Sequence, residues 1–325
     1  MNWIGLIPAG LALVLSPLLL GILNQVKAKF AGREGAPFLQ PYYTLWKLLN
    51  KGAVYSTTTS WVFRAGPILG LAAILSTLVI LPIGGCPSLL AFQGDLIVFA
   101  YLLGLARFAT ILAALDTGSA FEGMGASREA TYASVAEPAL LLGLAALAHA
   151  LPGGGQVPSH LANLGVSALH DASLSNLLLG LSQKQWMELG VVLALVAMAF
   201  SIVTLAENCR IPFDDQNTHL ELTMIHEVMV LDHSGPDFAY ITYSACLKLW
   251  VLGSLVVGIL LPVRTGNLLI DLPIALVGMG LMAAAIGVVE SVIARVRLVY
   301  VPQLLVAAVV LSAFALALQY GVAAP

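Results

Sequence analysis

Eight separate runs of apolar residues, each about as long as a membrane-crossing helix, dominate this sequence. A helix needs roughly 20 apolar residues to cross a hydrocarbon core about 30 Å thick. The runs that we interpret as spans 1 to 8 are Ile4–Leu23, Gly66–Ile83, Leu96–Leu115, Thr131–Leu151, Met187–Leu205, Ile241–Leu261, Leu268–Val289 and Val301–Tyr320. The composition agrees, since 59% of the residues are hydrophobic and only 10% are charged, which excludes a water-soluble globule. The chain is therefore predicted to be an all-α polytopic membrane protein with one integral domain, residues 1–325.

Lysines and arginines are distributed unevenly between the loops that connect the spans. The odd-numbered loops carry Lys27, Lys29, Arg33, Lys47, Lys51, Arg64, Arg128, Arg210, Arg295 and Arg297, whereas the even-numbered loops carry only Lys184 and Arg264. Because short loops rich in Lys and Arg stay in the cytoplasm, loops 1, 3, 5 and 7 are expected there. Both termini are then expected on the other side of the cell (inner) membrane. With 14 basic and 17 acidic residues, the chain has no basic field for nucleic acid.

Loop 1, residues 24–65, contains a short amphipathic segment, Pro41–Lys51. Its apolar side chains recur at the spacing of one helix face, and Pro41 suits a first helical turn. These apolar residues are Tyr42, Leu45, Trp46 and Leu49. The pattern predicts a helix that lies in the lipid bilayer interface on the cytoplasmic side. This helix is either an ordinary surface anchor or a roof over a lateral opening into the helix bundle.

Loop 5, residues 206–240, concentrates the acidic residues of the chain. It holds Glu207, Asp214, Asp215, Glu221, Glu227, Asp232 and Asp237, with Arg210 as its one Lys or Arg. A solvated acidic face is one interpretation. The other is a buried helix that begins near Thr218, which forms a T-x-x-E capping box with Glu221 and precedes many apolar residues. Since desolvation raises carboxylate pKa values, buried acids of this kind can exchange protons near neutral pH, which favours a proton path.

Charges inside the spans carry a second functional signal. A charge near the bilayer centre costs about 2.5–3.5 kcal/mol on insertion scales, so it is rarely accidental. Glu137 lies about seven residues into span 4, roughly 10 Å deep, and ranks first among these acids. Arg107 and Lys248 are its candidate counter-ions. Glu188 and Glu290 lie near span ends, where a long side chain reaches the interface, so a structural role is expected for both.

Metal and cluster chemistry is not expected in this chain. After His226-Glu227, the position that a zinc-binding H-E-x-x-H motif requires is occupied by Val230. Cys86, Cys209 and Cys246 lie far apart, and each is expected to be a buried apolar residue. We therefore expect no metal, no cofactor and no catalytic centre in the chain itself.

Seven short segments resemble a known family. They are Arg33-Glu-Gly-Ala-Pro-Phe-Leu-Gln-Pro41, Lys47-Leu-Leu-Asn-Lys51, Leu115-Asp-Thr-Gly-Ser119, Gly125-Ala-Ser-Arg-Glu-Ala130, Leu205-Ala-Glu-Asn-Cys-Arg-Ile-Pro-Phe-Asp214, Leu220-Glu-Leu222 and Ser234-Gly235. Together they are similar to the membrane-anchor subunit of group 4 membrane-bound nickel–iron hydrogenases, of the formate hydrogenlyase and hydrogenase-4 type, which is related to the proximal membrane subunit of respiratory complex I. The resemblance runs over nearly the whole chain.

The resemblance implies a subunit of an oxidoreductase complex in electron transport. It would anchor the peripheral arm, formed by hydrogenase large and small subunits and a ferredoxin-like iron–sulfur subunit, and couple electron transfer to proton or sodium movement through antiporter-like membrane subunits. The nickel–iron centre and the 4Fe-4S clusters would belong to those partners. Motif by motif, it places Glu207, Arg210 and Asp214 in the family's L-A-E…R-x-P-F-D segment, Glu221 in its E-L step and Glu137 on the acid of the fourth helix.

The candidate site residues follow from both arguments. The proton-path candidates are Glu137, Glu207, Asp214, Asp215, Glu221, Glu227 and Asp232, and the charge-pairing candidates are Arg107, Arg210 and Lys248. The candidates for docking the peripheral arm are Arg33, Gln40, Arg128, Arg295 and Arg297. Gln216, Asn217 and His219 stand where complex I has a denser run of acids. Two alternatives stay open: the quinone-site membrane subunit of a complex I (NADH–quinone oxidoreductase) variant, and an independent secondary transporter, for which no internal repeat is evident.

Overall fold

The computed structural model describes residues 5–150, 173–214 and 224–323, and these residues form helices joined by loops. The helices are α1 (Leu6–Phe30), α2 (Gln40–Leu49), α3 (Trp61–Ile80), α4 (Asp95–Asp116), α5 (Ala120–Ala150), α6 (Leu174–Gly180), α7 (Gln183–Glu207), α8 (His226–Met229), α9 (Gly235–Leu260), α10 (Leu268–Val292) and α11 (Val301–Ala323). Within the described ranges, eight are long and apolar enough to cross a membrane. The predicted all-α polytopic fold is confirmed.

Helix α9 is the centre of the bundle. It packs against α1, α2, α3, α7 and α10, and its buried residues, Trp250 among them, lie on almost every side of the helix. A helix that is apolar all round is stable only when other helices or lipid surround it. The remaining spanning helices expose one apolar side and bury the other, so the chain forms a single packed body around α9.

The largest difference from the predicted spans lies at the start of α5. The apolar run suggested a beginning at Thr131, whereas the helix begins at Ala120 and its first turns bury Glu122 and Glu129. The added turns are polar, so a hydropathy window does not detect them. Two acids that the sequence placed in loop 3 are consequently part of a helix that packs into the bundle.

Helix α2 forms where the amphipathic pattern predicted it. Leu48 is buried, and the Tyr42 hydroxyl donates a hydrogen bond to the carbonyl oxygen of Val14 in α1. Trp46, one of the apolar residues of the predicted interfacial face, is 71% exposed. The helix therefore packs on α1 and α9 by one edge and directs Trp46 outward, as an interfacial anchor does.

The second described part of loop 5, residues 224–234, folds back onto α4 and α5, and we call it the inserted segment. Its apolar residues pack in the bundle, and Met224, Ile225, Val228, Met229 and Val230 are all buried. Gly125 permits this approach, because a Cβ there would lie 2.4 Å from the Val228 Cγ1 atom. The predicted beginning of the buried helix near Thr218 lies outside the described residues, and within residues 224–234 the helix is the short α8 (His226–Met229).

Candidate functional site

Arg107 on α4 lies at the centre of a buried group of charges from four helices. Its Nε is 3.4 Å from Glu129 Oε1 and its Nη1 is 3.1 Å from Glu137 Oε1, both on α5. Its Nη2 contacts Glu207 at the end of α7, and the other oxygen of Glu207 is 3.1 Å from Lys248 Nζ on α9. We call Arg107, Glu129, Glu137, Glu207 and Lys248 the Arg107 cluster.

The charges of the Arg107 cluster do not balance. Three carboxylates face two cations, which leaves one negative charge when every group is ionised. Burying a charge costs several kcal/mol unless opposite charges and hydrogen bonds compensate for it. The excess charge is therefore neutralised if one of the carboxylates holds an additional proton, or if a further positive charge lies close to one of them. Such a site responds to changes of charge nearby.

Two cavities lined in part by charged side chains flank the Arg107 cluster. The first, about 50 Å³, is lined by cluster residues together with Cys209 and His226. The second, about 20 Å³, extends from Arg107 to Asp214 and Tyr132. A polar space of about 10–15 Å³ is sufficient for one water molecule, so both cavities have room for water. The second cavity extends from the cluster to Asp214, which begins the part of loop 5 that leads to the inserted segment.

Asp214 holds the inserted segment in place. One carboxylate oxygen accepts hydrogen bonds from the backbone N–H groups of Ile225 and His226, at 3.0 and 3.2 Å. The other is 2.9 Å from Arg295 Nη2 in the loop before α11. From α5, Arg128 donates a hydrogen bond to the carbonyl oxygen of Met224 at 2.8 Å. Asp214 thus joins loop 5 to loop 7 beside the second cavity.

Arg210, a charge-pairing candidate, pairs with a residue outside loop 5. Its Nη1 is 3.6 Å from Glu290 Oε1 on α10, and the second oxygen of Glu290 is 2.6 Å from Lys27 Nζ on α1. Glu290 is itself buried. The expectation that Glu290 simply reaches the interface is therefore wrong, because packing of α1 against α10 encloses it between two cations.

Burial shifts the pKa values of three groups outside the spans. Burial lowers the pKa of His226 to about 4, and the positive charge of Lys248 acts in the same direction. Burial also lowers the pKa of His233 to about 4, and this ring stacks on Phe63 with centroids 3.9 Å apart. Both imidazoles are therefore neutral at pH 7. Burial raises the pKa of the Cys209 thiol well above its usual value, so the first cavity is lined by a neutral thiol.

The other predicted site residues occupy three different kinds of position. Asp232 is exposed, and its backbone N–H donates a hydrogen bond to Glu122 on α5. Glu227 is partly buried. Asp215 and Glu221 lie outside the described residues. Among the docking candidates, Arg33, Gln40 and Arg297 are exposed, whereas Arg128 and Arg295 form the internal contacts described above.

Glu129 is a member of the cluster that sequence analysis did not select. The assignment of residues 116–130 to a loop removed it from consideration as a membrane acid. Glu122, Glu129 and Glu137 follow one another at spacings of seven and eight residues, which places them on one side of a helix. That spacing is the signal that could have identified both the longer helix and its buried acids.

Comparisons with known proteins cover almost the whole chain. The family model described as NADH dehydrogenase matches residues 3–320. The chain is 33% identical to formate hydrogenlyase subunit 4 of Escherichia coli (strain K12) over 305 residues. This alignment covers 92% of each of the two chains. It is also 33% identical over 296 residues to hydrogenase-4 component C of the same organism, which is 89% of this chain and 86% of that protein.

A solved structure shows the same fold. It belongs to the membrane-bound sulfane sulfur reductase, an archaeal respiratory membrane complex, and one of its chains matches with a TM-score of 0.79. The match covers 97% of this chain and 98% of that chain at 21% sequence identity. The helix arrangement around the Arg107 cluster is therefore shared with a chain of very different sequence.

Proposed function

Because this chain belongs to the NADH dehydrogenase family, in the group that resembles the proximal membrane subunit of complex I, we propose that it is the membrane subunit of a hydrogenase-type respiratory complex. It anchors a peripheral arm that holds a nickel–iron centre and iron–sulfur clusters, and it couples electron transfer in that arm to proton or sodium movement. Two relatives at 33% identity, a formate hydrogenlyase subunit and a hydrogenase-4 component, support this assignment.

The observation that carries the proposal is the Arg107 cluster with its two cavities. The cluster joins α4, α5, α7 and α9, and the second cavity extends from it to Asp214. A change of charge or position in loop 5 alters the electrostatic field at Glu207, since this residue lies at the beginning of the loop. The proton balance among the three carboxylates shifts in response, which is the step that couples the arm to the membrane.

The arm docks on the side that carries the odd-numbered loops. The bias of Lys and Arg toward these loops supports a cytoplasmic location for them and a non-cytoplasmic location for both termini. Arg33, Gln40 and Arg297 are exposed on this side and are the docking contacts that we propose. Arg128 and Arg295 act differently, because they position loop 5 through Met224 and Asp214.

Co-purification tests the identity of the complex. An affinity tag on this chain should retain a nickel-containing chain, a smaller hydrogenase subunit, an iron–sulfur subunit and antiporter-like membrane subunits from mildly solubilised membranes. Nickel and iron are measured by elemental analysis of the purified complex. Recovery with iron but no nickel, and with a bound quinone beneath α2, would replace the hydrogenase assignment with the complex I variant.

Ion uptake into membrane vesicles tests the coupling. Glu207→Gln removes a cluster charge at nearly constant volume, so hydrogen turnover in detergent should persist while ion uptake per electron falls to background. Glu188→Gln is the matched control on the same helix, since Glu188 forms only an exposed pair with Lys184. Wild-type uptake by the assembled Glu207→Gln complex would remove the Arg107 cluster from the ion path.

A further inference from the structure

Glu137 is the one residue of the Arg107 cluster whose side chain opens outward, with 46% of it exposed. One carboxylate oxygen pairs with Arg107, and it also lies 3.2 Å from the point where a Cβ on Gly104 would stand. Gly104 is about 14 Å from one end of α4 and about 18 Å from the other, given the rise per helical residue. A half-exposed carboxylate therefore lies near the middle of the membrane-crossing layer.

The residues around Glu137 form a lateral face of the bundle. We call it the α4–α5 face and define it by Tyr101, Gly104, Phe108, Ser134, Glu137 and Pro138. The exposed positions of α5 from 127 to 138 are serine, threonine, alanine and proline, without a large apolar side chain. The other half of the face, on α4, exposes the large side chains of Tyr101 and Phe108, and α11 exposes Val306, Val310 and Phe314. Large apolar side chains suit lipid, whereas the small and hydroxylated residues of α5 permit close helix packing.

Acyl chains cannot complete this face, because they offer no partner to a carboxylate. A second copy of this chain related by twofold symmetry would place one Glu137 near another, which opposes like charges in a low dielectric. The excess negative charge of the Arg107 cluster instead favours a partner that places a positive charge near Glu137. The occupant is therefore a different membrane protein with a basic residue at this depth.

We propose that the α4–α5 face docks a transmembrane helix of another membrane subunit, which places a lysine or arginine beside Glu137. The helix packs closely at Gly104 and Ser134, where small side chains let two backbones approach. Its basic residue donates to the carboxylate and completes the charge balance of three acids with three cations. This inference rests on the proposed function, since it requires a complex with further membrane subunits.

Photo-crosslinking in membranes that hold the whole complex tests the occupant. A photoreactive phenylalanine analogue replaces Tyr101 or Phe108. In the control it replaces Val310, an exposed residue of α11 that we expect to face lipid. We expect adducts from the first two positions with a different membrane subunit. The cross-linked peptide should belong to a transmembrane segment that contains a lysine or arginine. Adducts with lipid alone, with a second copy of this chain or with a segment that lacks a basic residue would overturn the proposal.

Ser134→Leu tests close packing. Leucine is favourable in lipid but blocks the approach of a second helix, so retention of the partner subunit in detergent should fall by about tenfold. The matched control is Ala313→Leu, at an exposed position of α11, which should retain the partner. Equal retention in both variants, or equal loss, contradicts the proposal, and the crosslinks do not depend on how either variant folds. If nickel subunits co-purify but Tyr101 and Phe108 reach only lipid, this inference fails while the proposed function stands.

Discussion

At the end of the bundle opposite to the inserted segment, two carboxylates are buried against donors from short loop segments. Asp95 accepts hydrogen bonds from the Ser173 hydroxyl at 2.7 Å and from the Leu174 backbone N–H at 2.6 Å. Asp271 accepts from the backbone N–H and hydroxyl of Thr265 at 3.0 and 2.7 Å. The acids of the Arg107 cluster instead share two cations that come from other helices.

This difference separates acids with a structural role from acids whose charge state can change in response to nearby charges. A carboxylate held by backbone N–H groups keeps its position unless a turn unfolds, because those donors are fixed by the chain. When several carboxylates share one cation, the electrostatic interaction of each carboxylate with that cation changes whenever one of the other acids gains or loses a proton. Charge coupling is therefore expected at the Arg107 cluster and not around Asp95 or Asp271.

The largest effect is expected from Arg107→Met, which leaves the buried carboxylates of Glu129 and Glu207 and the half-exposed carboxylate of Glu137 without their shared cation. Removing one partner of a buried ion pair typically costs about 3–5 kcal/mol. We expect the variant chain to fail to accumulate, or to unfold in detergent far below the wild-type melting temperature. Arg297→Met is the control, because Arg297 is exposed. Equal stability of the two variants would show that the cluster does not depend on its central cation.

Asp95→Ala should cost somewhat less, because it removes a charged acceptor but leaves no unpaired charge. A hydrogen bond to a charged group contributes about 1.5–3 kcal/mol, so a loss of roughly 2–3 kcal/mol is expected in detergent unfolding. Ion uptake per electron should stay unchanged in the complexes that assemble. Asp95→Asn, which retains an acceptor oxygen, should recover part of the stability. A changed ion-to-electron ratio in either variant would break the contrast between the two ends.

Acidification should destabilise the inserted-segment end through His233. Its pKa lies near 4, below the ordinary value of about 6.5, so the fold favours the neutral ring. Stability is then complete above pH 6.5 and is lost as pH falls from 6.5 toward 4, by about 2 kcal/mol at pH 5. Melting in detergent across this pH range checks the expectation. Asp232 and Asp237 act in the opposite direction on this ring but do not outweigh its burial.

His233→Gln should make that pH profile less steep than in the wild type, because glutamine does not titrate, whereas His226, with a pKa also lowered to about 4, still contributes to the decline. Glutamine also lacks the aromatic ring that stacks on Phe63, so the variant should have a lower melting temperature than the wild type at pH 8. A wild-type profile with no decline between pH 6.5 and pH 5 would show that the ring is protonated in the fold without cost.

The fold was predictable because membrane spans are encoded by length and hydropathy alone. The start of α5 was not, since its polar turns are stable only when Glu122 and Glu129 are enclosed by neighbouring helices. The amphipathic pattern of α2 indicated a helix at an interface, but it did not indicate which edge of the helix packs. Contacts with α1 and α9 decide that edge, and they bury Leu48.

The candidate site was predictable in part. Glu137 and Arg107 were identifiable because charges inside spans are rare, and the structure places them 3.1 Å apart. Lys248 was proposed as a counter-ion of Glu137, whereas it pairs with Glu207. The choice between two acids depends on how α9 is rotated against α7, and a single sequence contains no signal for that rotation.

The smallest effect is expected from Lys184→Ala, which removes an ion pair at the opposite end of the bundle from the Arg107 cluster. Lys184 and Glu188 are 3.9 Å apart on one face of α7, and their side chains are 85% and 60% exposed. Water screens this pair, and exposed i,i+4 pairs contribute only about 0.3–0.5 kcal/mol. The melting temperature should therefore shift slightly at low salt and not at all at high salt, whereas the deficit of Arg107→Met should persist at both. A salt-independent loss in Lys184→Ala would mean that exposure does not separate the two kinds of ion pair, and the contrast between the two ends would no longer hold.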